Sequence, residues 1–205
     1  MQFEIGGARP NVSPAAVVAP TAVLSGDVTL AANVVVSFGA VIMGDDGPVV
    51  IGPGTIVREN VVIRAGRRHP VRIGANVLIG AHSALYGCTV EDEVFLATGV
   101  TIFHRAVIGR GAEVRIRGVV HVNSSLPAEA VVPIGWVAVG NPAVAYPPSA
   151  HEQIWAIQRT LDFPGTVYGV ARMPDGRVDM QLVTQRAVTA ARQGRWTLIA
   201  ETEHP

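Results

Sequence analysis

The chain has 205 residues, 49% of them hydrophobic but only 5% aromatic and 16% charged, and its formal net charge is zero. A neutral chain offers no electrostatic attraction for nucleic acid or for an anionic membrane, so we expect neither partner. No apolar stretch is long enough to span a bilayer, and residues 1–10 lack the basic and apolar segments of a signal peptide. We therefore expect a cytoplasmic protein, and the single cysteine, Cys88, excludes an internal disulfide framework.

An aliphatic residue recurs at every sixth position through most of the chain. These positions are Val18, Leu24, Leu30, Val36, Ile42, Ile51, Val57, Ile63, Ile73, Ile79, Leu85, Val90, Leu96, Ile102, Ile108, Val114, Val120, Leu126 and Val132. A period of six fits neither an amphipathic helix nor a flat alternating strand. Three hexads form one triangular coil whose aliphatic side chains point inward and stack. The sequence therefore predicts an all-β fold, a parallel β-helix of about six coils.

The repeat is interrupted three times, after Ile42, Ile63 and Leu85. The interruptions are an insertion of three residues, an insertion of four residues and a deletion of one residue. Counting hexads by threes puts all three on the same face of the prism. Because insertions in repeat proteins gather on the binding face, this is where we expect a functional site.

The regular pattern stops after Val132, and residues 133–148 are expected to leave the prism as an irregular segment. Ser149 and Glu152 form a capping-box pattern that predicts a helix ending at residues 162–165, where Asp-Phe-Pro-Gly occurs. A second helix is predicted from Met180 to Gln193. These divide the chain into a β-helix over residues 1–148 and a C-terminal helical extension over residues 149–205.

Three segments carry a family resemblance: residues 39–45 (GAVIMGD), residues 79–90 (IGAHSALYGCTV) and the exit at residues 140–143 (GNPA). Together with the coils they resemble the γ-class carbonic anhydrases and their hexapeptide-repeat relatives, over roughly residues 10–148. The resemblance implies a left-handed β-helix and a homotrimer. It also implies a zinc-type metal held by three histidines at a subunit boundary.

The family's metal ligands fall on Arg64, Ala81 and Tyr86 in this sequence, and none of them is a histidine. Met43 stands where the family has an arginine, while the family's aspartate remains as Asp45. A zinc-type site needs about three ligands from histidine, cysteine or carboxylate, and a protonated guanidinium repels a divalent cation. We therefore expect a degenerate metal site with no metal, no cofactor and no hydration of carbon dioxide.

Histidines near these positions leave a shifted metal site as an alternative. The candidates are His69, His82, His104 and His121. Scattered histidines on a prism surface are usually solvated or interface residues, and we interpret these in that way.

Counting hexads by threes predicts two columns of outward side chains. The first column contains Met43, Arg64, Tyr86, Phe103 and His121. The second contains Phe38, Glu59, Ala81 and Thr98, with Arg58 and His82 beside it. In a trimer the columns are expected to face each other across the subunit boundary and to enclose a cleft.

Within this cleft the predicted catalytic residues are Arg64, Tyr86, Glu59 and Asp45. Arg64 would hold a small carboxylate or oxyanion in bidentate fashion, and Tyr86 would donate a further hydrogen bond. The predicted ligand-binding residues are Met43, Phe38, Arg58, Phe103 and His82. Alternatively, Arg64 and Glu59 form only an intersubunit salt bridge. Arg67, Arg68 and His69 in the inserted loop are expected to add positive charge near the opening.

Three classes of function remain open. One is a metal-free γ-anhydrase-like protein that binds a small anion. Another is an acyltransferase that uses a coenzyme-A thioester, with His82 or His121 as the catalytic histidine. The last is a non-catalytic structural trimer.

Overall fold

The computed structural model describes residues 1–66, 69–193 and 196–199 of the chain. Its strands are, in chain order, β1 (Gln2–Ile5), β2 (Asn11–Val12), β3 (Val17–Val18), β4 (Val23–Leu30), β5 (Val35–Val36), β6 (Val41–Ile51), β7 (Ile56–Val57), β8 (Val62–Arg64), β9 (Val71–Ile73), β10 (Leu78–Ile79), β11 (Ala84–Tyr86), β12 (Thr89–Val90), β13 (Phe95–Leu96), β14 (Thr101–Ile102), β15 (Val107–Ile108), β16 (Glu113–Val114), β17 (Val119–Val120), β18 (Ser125–Leu126), β19 (Val131–Val132), β20 (Val137–Gly140), β21 (Ala143–Tyr146) and β22 (Trp196–Leu198). The helices are α1 (His151–Gln158), α2 (Phe163–Tyr168) and α3 (Met180–Gln193).

The strands stack in parallel on three faces of a prism, which confirms the predicted parallel β-helix. The first face is the seven-stranded sheet β3-β5-β7-β10-β13-β16-β19. The second face runs from β1 through the first halves of β4 and β6 to β8, β11, β14, β17 and β20. The third face contains β2, the second halves of β4 and β6, and then β9, β12, β15 and β18. We call the edge between the first and second faces corner I, and the edge between the second and third faces corner II.

The predicted inward positions form the core. Eighteen of the nineteen aliphatic residues are buried, and Val18, near the N-terminal end of the prism, is half-buried. Because each coil is too thin to exclude water alone, its aliphatic residues are covered by the coils above and below. The predicted period of six therefore fixes which side chains stack.

The predicted number of coils, about six, is too low. The stacks hold seven to eight strands each, so the solenoid has about eight turns. Three strands beyond the nineteen predicted positions lie at the two ends: β1 and β2 at the N-terminal end and β20 at the C-terminal end. Val12 opens the repeat one hexad earlier, and Ala138 closes it one hexad later. The periodicity does not predict these end strands, because β1 lies outside the repeat and the last inward residue, Ala138, is small.

The C-terminal segment differs from the prediction in three places. Residues 133–148 are not irregular throughout, because β20 and β21 form an antiparallel hairpin. Helix α1 has Ala150 rather than Ser149 at its N-cap, without a side-chain cap. A further helix, α2, begins where the sequence predicted only a helix end, because Asp162 caps it by accepting a hydrogen bond from the Gly165 amide (3.2 Å). The second predicted helix, Met180 to Gln193, is confirmed as α3.

Strand β22 connects the C-terminal extension to the first turn of the prism. Strand β22 pairs antiparallel with β1. None of the helices in the described ranges is long and apolar enough to cross a bilayer.

Candidate functional site

The predicted first column exists at corner II. Strand pairing sets Met43 beside Arg64 and Arg64 beside Tyr86. The stack continues through Phe103, whose ring centroid is 6.2 Å from that of Tyr86 and 6.0 Å from that of His121. The hexad count alone therefore predicted which side chains are neighbours here.

Arg64 is the exposed cation of this column, with 52% of its side chain accessible. Its guanidinium lies 3.9 Å from a carboxylate oxygen of Asp46, at the outer limit of an ion pair. The predicted neighbour Asp45 instead accepts a hydrogen bond from the Ser25 hydroxyl. Sequence reasoning missed Asp46, although the three-residue insertion after Ile42 is the signal that places an extra carboxylate at this corner.

Histidines gather around Tyr86. The His104 ring stacks on Tyr86 with centroids 5.9 Å apart and an interplanar angle of 11°, and His69 meets His104 edge-on at 5.7 Å. Desolvation, with the nearby charges of His69 and Arg64, lowers the pKa of His104 to about 4. Its Nδ1 atom is buried without a hydrogen-bond partner in the described part of the chain. His104 is therefore neutral at physiological pH.

Helix α2 covers the far end of the column. Phe163 packs against Phe103 and His121, with ring centroids 5.6 and 5.8 Å apart. The Asn123 side-chain amide holds the helix in place by donating to the Leu161 carbonyl (2.7 Å) and the Thr166 hydroxyl (3.0 Å). His121 is only 5% exposed as a result, and burial lowers its pKa. This cover was missed because α2 was not predicted.

The predicted second column lies at corner I. Backbone hydrogen bonds stack its residues: the Asn60 amide donates to Phe38, the His82 amide to Glu59 and the Gly99 amide to Ala81, at 2.9 to 3.1 Å.

The polar groups of the second column pair locally. Glu59 bonds to Arg58 (3.1 Å), and hydrogen bonds from its own backbone and from Arg58 lower its pKa. His82 occupies an exposed corner position with φ of 59°. Within one protomer, corners I and II are separated by the second face, so the enclosed cleft stays a prediction about an assembly.

The histidine candidates for a shifted metal site do not all come together. His69 and His104 are neighbours, whereas His82 is at corner I and His121 lies beneath Phe163. Among the described residues no group of three or more histidine, cysteine or acidic side chains is arranged to hold a metal ion. Arg67 and Arg68 lie outside the described residues.

Comparison with known proteins agrees with the repeat. A family model described as the hexapeptide repeat of succinyl-transferase matches residues 70–104. "Gamma carbonic anhydrase 1, mitochondrial" of Arabidopsis thaliana is 36% identical over 140 residues, which is 65% of this chain and 49% of that protein. The chain spans about half the length of the first curated relatives it matches.

Solved structures show the same architecture. A hexapeptide transferase family protein from Anaplasma phagocytophilum is 27% identical with a TM-score of 0.50, over 77% of this chain and 89% of that one. A putative acetyltransferase from Bacillus cereus is 20% identical with a TM-score of 0.55, over 94% and 98% of the two chains. At that identity the second likeness shows the fold alone.

Proposed function

We propose that this chain, a hexapeptide-repeat protein related to the gamma carbonic anhydrases, binds a small carboxylate or other oxyanion at Arg64 and Tyr86 on a subunit boundary of a homotrimer. It does not hydrate carbon dioxide by the metal mechanism of that family. Its proposed compartment is the cytoplasm. Cys88 is a buried thiol whose pKa desolvation raises to about 12, so we assign it no catalytic role.

The pairing of Arg64 with Tyr86 carries the proposal. The two side chains are cross-strand neighbours at corner II, and the guanidinium is exposed with only a 3.9 Å contact to Asp46. A guanidinium that is not committed to a tight ion pair can form two parallel hydrogen bonds to an incoming carboxylate. The phenol beside it supplies a third donor.

The residues at the family's ligand positions do not fit a zinc-type metal. Ala81 has no donor atom, and the guanidinium of Arg64 has no free lone pair and stays protonated. Tyr86 alone leaves too few ligands for a tetrahedral site with an open position. The positions that implied a metal therefore support an anion site instead.

Apolar strips on two faces support assembly into a trimer. The outward residues of the first face are Val17, Val35, Ile56, Leu78, Phe95, Glu113 and Val131. Those of the second face are Val23, Val41, Val62, Ala84, Thr101, Val119 and Val137. Those of the third face are mostly polar: Asn11, Thr29, Val50, Arg72, Thr89, Val107 and Ser125. Apolar strips of this kind, each interrupted at one position here, by Glu113 or Thr101, mark protein interfaces.

Each predicted site residue has a role in this assembly. Arg64 and Tyr86 bind the anion, with Met43 and Phe103 as the apolar wall on their own corner. The second column of a neighbouring protomer supplies Phe38, Arg58, Glu59 and His82. Asp45, which accepts a hydrogen bond from Ser25, and Glu59, which is paired with Arg58, are the proposed carboxylates of the polar lining.

Thermal unfolding with added acetate or bicarbonate tests the anion site. An anion at ten times its Kd stabilises the folded state by about 1.4 kcal/mol, which corresponds to a rise in Tm of about 3 to 5 °C for a chain of this size. We expect this rise in the wild type and its loss in Arg64→Ala.

Arg110→Ala is the matched control, because Arg110 is held by Glu93 (2.7 Å) on the other side of the third face. The control should keep the anion-dependent rise. An equal rise in Arg64→Ala, or none in the wild type, would contradict the proposal.

Metal analysis of the purified protein by mass spectrometry tests the other half of the proposal. We expect less than stoichiometric zinc, iron or cobalt and no carbon dioxide hydration. One equivalent of any of these metals per chain would overturn the metal-free interpretation. His69 and His104 would then be the first candidate ligands.

A coenzyme-A-dependent acyltransferase is the second candidate, favoured by the succinyl-transferase repeat model over residues 70–104. Its predicted catalytic histidine must reach a thioester, yet His121 is covered by Phe163. That leaves His82, which is exposed. Binding of acetyl-coenzyme A in a calorimeter would favour this candidate, and a protein that binds neither anion nor coenzyme A would be the structural trimer.

A further inference from the structure

A recess interrupts corner II one coil above Arg64. The deletion after Leu85 leaves only Tyr86, Gly87, Cys88 and Thr89 before Val90. The coil below carries the four-residue insertion with His69, and the coil above has a full-length corner at residues 103–105. A shortened corner between two longer ones leaves a recess at Gly87.

Gly87 is the floor of this recess, and its backbone connects the three coils. Its amide donates to the Arg64 carbonyl (3.0 Å), and its carbonyl accepts from the Arg105 amide (2.7 Å). Its φ is +46°, and a Cβ atom there would lie 2.5 Å from the His69 Cβ. Any larger residue would displace His69, so glycine is what allows this arrangement.

The recess is lined by His69, Pro70, Gly87, Thr89 and Arg105. Its side chains supply a guanidinium, a hydroxyl and an imidazole, and no lining residue is acidic. Arg105 makes no ion pair with any residue in the described ranges. Arg72 does not line the recess, but it is the neighbour of Thr89 in the strand register.

We propose that this recess binds a tetrahedral oxyanion, a phosphate group. The potential donors in its lining come from three successive coils, which carry His69, Thr89 and Arg105. A phosphate has three free oxygens in three directions and can meet all of them, whereas a planar carboxylate has two. Arg105 supplies the bidentate contact, and Thr89 and His69 each donate to a further oxygen.

This site is separate from the one proposed at Arg64. Arg64 projects from the first column and has Asp46 as its acidic neighbour, while Arg105 and Thr89 lie on the side of corner II that leads into the third face. The two sites can therefore be removed independently.

Isothermal titration with inorganic phosphate at low ionic strength tests the site. We expect Arg105→Gln to weaken phosphate binding by about tenfold or more, because a charge-assisted bidentate contact is lost. Thr89→Val keeps the shape of the side chain and should weaken binding by about fivefold, through one hydroxyl donor.

Arg117→Gln is the matched control. Arg117 occupies a corner with φ of 56°, close to the 61° of Arg105, but at corner I. Phosphate affinity in this variant should stay within about twofold of the wild type. Unchanged Tm values without phosphate would show that all three variants are folded.

Further titrations identify the source of the phosphate and separate the two sites. A phosphomonoester such as phenyl phosphate that binds as tightly as inorganic phosphate indicates an esterified ligand, and weaker binding indicates the free ion; both support the site. Arg64→Ala should retain phosphate binding. Equal phosphate affinity in the wild type and Arg105→Gln, no phosphate binding, or its loss in Arg64→Ala would overturn the proposal.

Discussion

At the scale of single residues, His104 shows how burial changes chemistry at corner II. The ring lies between Tyr86 and His69, and its Nδ1 is buried without a hydrogen-bond partner among the described residues. A charged imidazolium there would lose hydration and face Arg64, so the neutral form is strongly preferred. This makes His104 a source of pH-dependent stability.

The first prediction at this scale concerns the loss of folding stability at low pH. The pKa of His104 is about 4 in the folded protein, against a reference of 6.5 when unfolded. Because the folded pKa is depressed, the stabilisation is fully present above pH 6.5 and is lost as the pH falls toward 4. His104→Phe keeps the aromatic stack but removes the titrating group. We expect its free energy of unfolding to fall by about 1 to 2 kcal/mol less than that of the wild type over this range, after allowance for solvent screening.

Urea unfolding at pH 7 and at pH 4.5, at one protein concentration, measures this difference. His82→Gln, at an exposed position of corner I, is the control and should lose as much stability as the wild type. Identical losses in the wild type and His104→Phe would show that His104 does not contribute.

Residue types alone indicated part of the candidate site and missed part. Arg64 and Tyr86 were identified because they replace small residues at a position fixed by the repeat. Asp46 was missed because it lies inside the insertion, where the period no longer applies. The sequence shows a histidine at position 104, but its neutrality depends on burial and on the nearby charges of His69 and Arg64, which no local pattern encodes.

At the scale of elements, the coils are held together by very close backbone contacts at their corners. Gly80 follows the inward Ile79, and a Cβ atom on it would lie 2.5 Å from the Ala97 carbonyl carbon in the next coil. Small residues recur after the inward aliphatic because the next coil passes directly over that position.

Gly80→Ala therefore tests the tightness of stacking. We expect a loss of about 1 to 3 kcal/mol, because a methyl group must displace the backbone of the next coil. Gly66→Ala is the control: a Cβ atom there meets no atom closer than 3.8 Å, so stability should be nearly unchanged. Urea unfolding of both variants provides the comparison, and equal stabilities would contradict the packing argument.

The helices were harder to predict than the coils. The sequence at residues 162–165 predicts a helix end, because proline and glycine usually stop a helix. In the structure the same residues begin α2, because Asp162 caps it and Pro164 stands in its first turn. Phe163, the first residue of α2, then packs against Phe103 and His121, contacts between residues distant in sequence that no local pattern predicts.

At the scale of the whole molecule, the three faces differ in polarity, and this decides which surfaces are suited to a partner. Phe95 is 42% exposed on the apolar first face, with Glu113 as its neighbour in the strand register. An arginine at position 95 would lie beside the opposite charge of Glu113, so we expect the strand to tolerate it. It would still place a charged group in any interface that this face forms.

Phe95→Arg is accordingly expected to reduce the molecular mass in solution from three chains to one. Val50→Glu is the matched control, since Val50 is 41% exposed on the polar third face beside Arg72; its mass should stay at three chains. Light scattering after size-exclusion chromatography gives both masses. A wild type that elutes as a single chain would contradict the proposed trimer, and a trimeric Phe95→Arg would exclude this face from the interface.

The sequence by itself determined the parallel β-helix, its inward residues and the stacking of Met43, Arg64, Tyr86, Phe103 and His121. It did so because a period of six, counted by threes, places the aliphatic side chains on the inside of a three-sided prism, where eighteen of the nineteen are buried. Only the tertiary structure decided the full number of turns, the cover of α2 over His121 and the recess at Gly87. These depend on insertions, a deletion and contacts between residues distant in sequence, where periodicity carries no information and packing alone selects the conformation.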